Sequence, residues 1–146
     1  MDNRFGATVA KKQPLLNAER HKYITKLKQE YVMRIFHNPR CSKSRQTLQL
    51  IKQSQQEVEV IEYLQNPPTV EQLRTVIELL GLEASSLVRK GETVFRELDV
   101  DLVTLSDDAV IELLVAHPIL IQRPIVVGNG KAVIGRPPEN VVQLWS

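Results

Sequence analysis

The sequence predicts an α/β protein whose four-stranded mixed sheet is built in the order β-α-β, helical insertion, β-β-α. Two apolar segments at 33–36 and 58–63 flank a helical pattern, which is typical of a βαβ unit with a parallel strand pair. Two more apolar segments, 124–127 and 132–134, enclose the Gly-Asn-Gly sequence at 128–130, which predicts an antiparallel hairpin. The stretch between these two units shows only helical patterns.

The β-α-β unit and the helix that follows it carry clear boundary signals. Residues suited to a buried helix face recur at helical spacing over 42–53, which predicts a helix. Apolar residues alternate with acidic ones over 58–63, which predicts a strand. Thr69, followed three residues later by Gln72, is typical of a capping box at a helix start. Gly81 suits the left-handed position that ends a helix, so a second helix is predicted between these signals.

The remaining elements are predicted to be short. Residues 84–88 indicate a helical turn and residues 95–98 another short helix. Ser106 predicts the N-cap of a helix that ends near His117 and Pro118. The two aspartates after Ser106 are favourable at the positive end of the helix dipole. Pro137 and the proline after it open a final helix, because proline is preferred in the first helical turn.

The composition is that of an ordinary globular protein with one folded domain. The chain has 146 residues, 42% of them hydrophobic and 25% charged, which is enough to bury a sizeable core. Its single cysteine excludes an intramolecular disulfide framework and a cysteine-rich zinc site. No apolar run has the length of a membrane span or of a signal-peptide core, so we expect no membrane association and a cytoplasmic location in reducing conditions.

Residues 1–32 are interpreted as an N-terminal extension, disordered or weakly helical, that precedes a domain at 33–146. The extension carries seven Lys and Arg against three Asp and Glu, whereas the domain carries twelve against fourteen. The basic excess therefore belongs to the extension, and nucleic-acid binding by the domain is not expected. A translation start at Met33 is an alternative, and it would place residues 1–32 outside the natural protein.

The junction between the first strand and the first helix contains the candidate nucleophile, Cys41. A thiol at the start of a helix faces unpaired backbone N–H groups and the positive end of the helix dipole. The neighbouring cations Arg40, Lys43 and Arg45 also favour thiolate over thiol. A reactive cysteine is therefore predicted, and the alternative is a buried, inert thiol.

The predicted element order is that of the thioredoxin fold. A reactive cysteine at the first strand-to-helix junction fits this fold, and so does a proline that opens the third strand. By resemblance to the fold, Pro124 is expected to follow a cis peptide bond and to lie beside Cys41.

Five separated segments of the chain resemble the glutaredoxin- and glutathione-dependent arsenate reductase family, and they occur in the same order as in its members. Those members are ArsC-like proteins of the thioredoxin fold. The resemblance covers essentially all of the predicted domain. The segments are HNPRCSKSRQTL (37–48), EYLQNPPT (62–69), LVRK (87–90), HPILIQRPIVV (117–127) and IGRPPE (134–139).

The resemblance implies roles for four residues of an oxyanion site. Cys41 would attack arsenate, and Arg89, Arg123 and Arg136 would bind the oxyanion. Guanidinium groups match the oxygens of a tetrahedral anion bidentately, so this set suits the chemistry. Each arginine considered alone would be interpreted as a solvated surface charge.

Two further residues are candidates for tuning the thiol. The resemblance implies that His37 helps to lower the pKa of Cys41, and the alternative is a strand-end residue bonded to backbone. Ser44 could donate a hydrogen bond to the Cys41 thiolate, or it could simply cap the helix.

The single cysteine also constrains the source of electrons. Without a second cysteine the chain cannot resolve a thiol–arsenate adduct by a disulfide of its own. The resemblance implies glutathione as the reducing co-substrate and glutaredoxin as the partner, with no bound cofactor and no metal. A monomer is expected, since no apolar stripe remains once the core is assigned.

Two alternative functions remain open at this point. One is a redox-sensing or transcription-regulatory binding protein of the same fold, although such regulators usually carry Cys-x-x-Cys, and this chain has Cys41-Ser42-Lys43-Ser44. The other is a thiol reductase that acts on another oxyanion or on a glutathione mixed disulfide. A tyrosine-phosphatase loop is excluded, because Cys-x5-Arg would need arginine at position 47, where threonine stands.

Overall fold

The computed structural model describes residues 32–146, and its centre is a four-stranded mixed sheet. The expectations about the N-terminal extension lie outside the described residues. The strands lie in the order β2-β1-β3-β4, with β1 parallel to β2 and with antiparallel pairing of β1 with β3 and of β3 with β4. They are β1 (Met33–Phe36), β2 (Val58–Ile61), β3 (Ile125–Gly128) and β4 (Lys131–Ile134). The predicted fold class is confirmed.

Four α-helices and four short 3-10 helices complete the described part of the chain. The α-helices are α1 (Ser42–Gln53), α2 (Val70–Leu80), α3 (Thr93–Leu98) and α4 (Asp107–Ala116). The 3-10 helices are Ala84–Leu87, Leu102–Thr104, Pro118–Leu120 and Pro138–Leu144. Within residues 32–146, no helix has both the length and the apolar character that a membrane span requires.

The helix ends follow the capping signals in the sequence. Thr69 accepts a hydrogen bond from the Gln72 backbone N–H at 3.1 Å, and the Gln72 side chain accepts one from the Thr69 N–H at 3.0 Å. Gly81 ends α2 with φ of 69°. Ser106 accepts from the Ala109 N–H at 3.2 Å at the start of α4. All three boundary predictions are confirmed.

Strand β2 is shorter than predicted, and the final helix is of the 3-10 type. β2 lies at the sheet edge and pairs only with β1, whose last residue, Phe36, is opposite Ile61. Beyond that point the Glu62 carbonyl accepts two hydrogen bonds within a turn, from the backbone N–H groups of Gln65 and Asn66. The chain therefore leaves the sheet at Ile61, and the turn directs Tyr63 into the core, where it is 0% exposed.

The side chains of the sheet belong to two apolar clusters, one on each face, because successive residues of a strand point to opposite faces. One cluster joins β1 and β3 to α1 and the C-terminal 3-10 helix, and it contains Met33, Ile35, Ile51, Val126, Val141 and Leu144. Phe36 and Ile125 contribute to the larger cluster, which also contains residues of α2 and α4. Both faces of the sheet are therefore packed against helices.

Candidate active site

Cys41 is the N-cap residue of α1, held by a tight turn after β1. Its backbone is extended, with φ of −94° and ψ of 122°. The Cys41 N–H donates to the Asn38 carbonyl at 3.0 Å, and the Asn38 side-chain oxygen accepts from the Arg40 N–H at 3.0 Å. The Cys41 carbonyl accepts from the Arg45 N–H at 3.0 Å, which starts the helix. The thiol is partly exposed and is a free thiol.

The surroundings of Cys41 favour the thiolate. Burial alone would raise the pKa of the Cys41 thiol, but the backbone N–H of Ser44, the Arg123 guanidinium and the backbone N–H of Lys43 outweigh it. The pKa is therefore lower than that of an ordinary cysteine. The helix start acts as the sequence predicts, whereas the dominant cation comes from a distant loop and not from the residues flanking Cys41.

His37 and Ser44 form a buried polar pair behind the cysteine. His37 Nδ1 lies 2.6 Å from Ser44 Oγ, which also accepts a hydrogen bond from the Asn38 N–H at 3.0 Å. Burial lowers the pKa of His37, against an opposing effect of Glu62, so the imidazole is neutral near pH 7. The hydrogen bond therefore joins a neutral ring to the Ser44 hydroxyl, on the side of the loop behind Cys41.

This geometry differs from the expectations for both residues. The structure favours a neutral His37 over the imidazolium that would act on the thiol by charge, because burial disfavours the charged form. The ring is bonded to a side chain, not to backbone. The contact of Ser44 with the thiolate runs through its backbone N–H, and its hydroxyl bonds to His37 and Asn38.

Two of the three predicted arginines reach Cys41 from loops that end in proline. The Arg123–Pro124 and Arg136–Pro137 peptide bonds are both cis; the first was expected and the second was not. Arg136 Nη1 lies 4.0 Å from Cys41 Sγ and donates to the Arg123 carbonyl at 3.0 Å. The Arg123 side chain is 14% exposed, and the thiolate in turn raises the pKa of its guanidinium in spite of burial.

The third arginine, Arg89, joins the site through Glu92. Arg89 Nε is 3.2 Å from Glu92 Oε2, and Arg123 Nη1 is 3.7 Å from the same oxygen. The backbone supports this arrangement, since the Arg89 N–H donates to the Leu120 carbonyl at 2.7 Å and the Gln122 N–H donates to the Leu87 carbonyl at 2.8 Å. The segment that carries Arg89 is thereby tied to the segment that carries Arg123.

Sequence reasoning missed two residues of this site. Glu92 stands three residues after Arg89, and nothing in that spacing indicates that its carboxylate also meets Arg123. The sequence pattern places Tyr63 only in a strand, yet its charged neighbours in the structure are Arg123, Arg89 and Cys41. Both contacts depend on tertiary structure, since they join the end of β2 and the loop before α3 to the loop before β3.

The arrangement can therefore bind and attack a tetrahedral anion. A thiol with a lowered pKa lies at a helix N-terminus, and three guanidinium groups are directed to the same region by neighbouring loops. Helix N-termini and arginine side chains are the donors that oxyanions prefer in proteins. The six residues predicted from the sequence all lie in this region, although their roles stay predictions.

Comparison with known proteins agrees with this geometry. Residues 36–144 match the ArsC family. A protein of Escherichia coli K12 described as uncharacterized, YfgD, is 47% identical over 113 residues, which are 77% of this chain and 95% of that protein. An arsenate reductase of Neisseria meningitidis serogroup A is 43% identical over 110 residues, 75% of this chain and 94% of that protein.

A solved structure with similar architecture confirms the thioredoxin-like fold. The structure of an arsenate reductase from Vibrio cholerae superposes with a TM-score of 0.75 at 44% sequence identity. The match covers 78% of this chain and 98% of that chain.

Proposed function

This chain belongs to the ArsC family, and we propose that it is an enzyme that reduces arsenate to arsenite at Cys41, with glutathione and glutaredoxin as the source of electrons. The observation that carries the proposal is the position of the low-pKa thiol among guanidinium groups. Arg136 Nη1 is 4.0 Å from the sulfur, and Arg123 lowers the pKa of the same thiol. Arsenate reductases among its relatives support this substrate.

Binding of arsenate would use the arginines and the helix start together. Arg123 is half-buried, and within residues 32–146 its Nε and Nη1 atoms make no hydrogen bond, although Nη1 lies 3.7 Å from Glu92 Oε2. Both atoms can therefore donate to an oxyanion. Arg136 is exposed at the mouth of the site, and Arg89 is held beside Arg123 by Glu92. An oxyanion bound there would lie against the backbone N–H groups at the start of α1.

The first chemical step is a nucleophilic substitution at arsenic. The Cys41 thiolate attacks As(V), an S–As bond forms, and one As–O bond breaks as hydroxide or water leaves. The guanidinium groups neutralise the negative charge of the oxyanion, which otherwise repels the thiolate. Arsenic remains pentavalent at this stage.

The second step transfers the electrons. A glutathione thiolate attacks the Cys41 sulfur, an S–S bond forms, and the S–As bond breaks with its electron pair going to arsenic, which leaves as arsenite. A glutaredoxin thiolate then attacks the glutathione sulfur of the mixed disulfide and releases Cys41 as a thiolate. An external thiol is needed because the chain has no second cysteine.

The test is arsenite production with glutathione and glutaredoxin, compared between wild type and Cys41→Ser. We expect turnover that depends on both reductants and on Cys41. Full turnover with thioredoxin alone would contradict the proposed electron source. An absence of arsenite, with Cys41 still glutathionylated as a low-pKa thiol, would favour a redox sensor or a reductase for another oxyanion.

A further inference from the structure

Three buried polar atoms in the described part of the chain lack a hydrogen-bond partner, and all three lie on two side chains of the candidate site. They are the Tyr63 hydroxyl oxygen and the Nε and Nη1 atoms of Arg123. The Arg123 guanidinium acts on the Tyr63 hydroxyl by its charge and at hydrogen-bonding range, although the two groups form no hydrogen bond of regular geometry. The charges of Arg89 and Cys41 act on the same hydroxyl, so these atoms belong to one cluster. Buried polar groups in proteins are almost always hydrogen-bonded, so a group of exceptions beside a nucleophile points to a polar ligand that binds there.

The packing of Tyr63 does not account for its hydroxyl. The ring is 0% exposed and belongs to the larger apolar cluster, together with Phe36, Leu73 and Ile121. A phenylalanine would supply the same apolar area, and an unpaired buried hydroxyl lowers stability relative to it. The reason for a hydroxyl at this position therefore lies in the polar groups around its oxygen and not in the packing of the ring.

We propose that the Tyr63 hydroxyl is a substrate-binding group of this site, which hydrogen-bonds to an oxygen of the tetrahedral oxyanion held by Arg123 beside Cys41. This inference rests on the proposed function, because it assigns a further contact to the same oxyanion. It adds a neutral group to a set that otherwise consists of guanidinium groups and backbone N–H groups.

The protonation state of Tyr63 suits this contact. Burial raises the pKa of the Tyr63 hydroxyl, and the opposing effects of the neighbouring Arg123 guanidinium and of the Arg89 charge do not cancel it. The hydroxyl is therefore protonated near pH 7 and can donate to a charged oxygen. Unlike a guanidinium, it can also accept a hydrogen bond from a protonated oxygen of the anion.

The test is the protection of Cys41 from alkylation by iodoacetamide, with arsenate and inorganic phosphate as the probes. For Tyr63→Phe we expect the half-protecting oxyanion concentration to rise about tenfold or more, the loss expected for one hydrogen bond to a charged group. The alkylation rate without oxyanion is measured for each variant, and protection is expressed relative to that rate. The thermal midpoint should stay level or rise, because an unpaired buried hydroxyl is removed.

The result that overturns the inference is the reverse pattern. A hydroxyl with a purely structural role would give a lower thermal midpoint and unchanged protection. Tyr63→Met, which fills similar space without a hydroxyl, is the second variant and must lose protection in the same way. Arg123→Lys is the positive control, since it removes the bidentate contact expected for the anion.

The design separates this inference from the proposed function. If wild type yields no arsenite but oxyanions protect Cys41 and Tyr63→Phe weakens that protection, the proposed reaction fails and the Tyr63 contact stands. If wild type reduces arsenate and Tyr63→Phe keeps full protection, the contact is wrong and the reaction stands. If no oxyanion protects wild-type Cys41, the Tyr63 contact is wrong.

Discussion

His37 Nδ1 and Ser44 Oγ lie 2.6 Å apart, and both side chains are buried. Their hydrogen bond joins the residue after β1 to the first turn of α1, so it spans the loop that carries Cys41. Because Ser44 Oγ also accepts from the Asn38 N–H at 3.0 Å, the hydroxyl fixes both the histidine and the backbone of that loop. The position of the nucleophile therefore depends on a buried hydroxyl that does not itself bond to the sulfur.

Ser44→Ala should destabilise the protein, because it leaves His37 Nδ1 and the Asn38 N–H buried without partners. We expect the free energy of unfolding to fall by about 1–3 kcal/mol, measured by urea denaturation. Ser42→Ala is the matched control, since Ser42 is exposed in the same turn. Equal effects of the two substitutions would show that the buried network contributes nothing specific.

Arg123→Gln should raise the pKa of the Cys41 thiol, because it removes the cation that opposes the effect of burial. Less thiolate is then present at neutral pH, and the acid limb of kcat/KM for arsenate should move to higher pH. Thiolate absorbance measured against pH gives the thiol pKa directly. Arg40→Gln, next to Cys41 in the sequence but not among the groups that shift its pKa, should leave the titration unchanged. An equal shift in both variants would assign the effect to general surface charge.

Glu92→Ala should raise KM for arsenate, because the carboxylate is the partner of Arg89 and also lies near Arg123. We expect an increase of about tenfold or less, the effect of one hydrogen bond that positions a binding group. Glu92→Gln keeps an acceptor for Arg89 and should change KM less. A lower KM in Glu92→Ala would instead show that the carboxylate competes with the oxyanion for the arginines.

Gly135→Ala should disturb both stability and the placement of Arg136. An added Cβ would lie 2.5 Å from Thr47 Oγ1 and 2.9 Å from Pro124 Cγ, so the backbone before Arg136 would have to move. We expect a loss of about 1–3 kcal/mol in unfolding free energy and a higher KM for arsenate. Gly91→Ala is the matched control, because a Cβ there meets nothing within 4 Å. Comparable losses in both variants would contradict the steric explanation.

Local signals in the sequence predict the elements that local forces determine. The bounds of β1 and α1 are as expected, because an apolar segment, a turn and a helical period follow one another without competing patterns. The capping box at Thr69 and the left-handed Gly81 also depend only on neighbouring residues. The end of β2 was predicted two residues too late, since it is set by where its partner β1 stops pairing.

The candidate site is predicted less completely, because its contacts join distant segments. Cys41 and the arginines carry recognisable motifs, but the roles of Tyr63 and Glu92 follow from tertiary neighbours. The same holds for His37, whose pKa is lowered by burial that no sequence pattern near it reveals. Motifs thus identify the residues, whereas burial and pairing decide their charge states.

The dependence of the Cys41 thiol on Arg123 also links chemical reactivity to the completeness of folding. A chain synthesised only as far as α2 contains Cys41, but it lacks the guanidinium that precedes β3. Its thiol is closer to an ordinary cysteine, and it reacts more slowly with electrophiles and oxidants. The full lowering of the Cys41 pKa thus requires the loop before β3 to lie beside the start of α1, so the thiol reports on whether the two halves of the domain have docked.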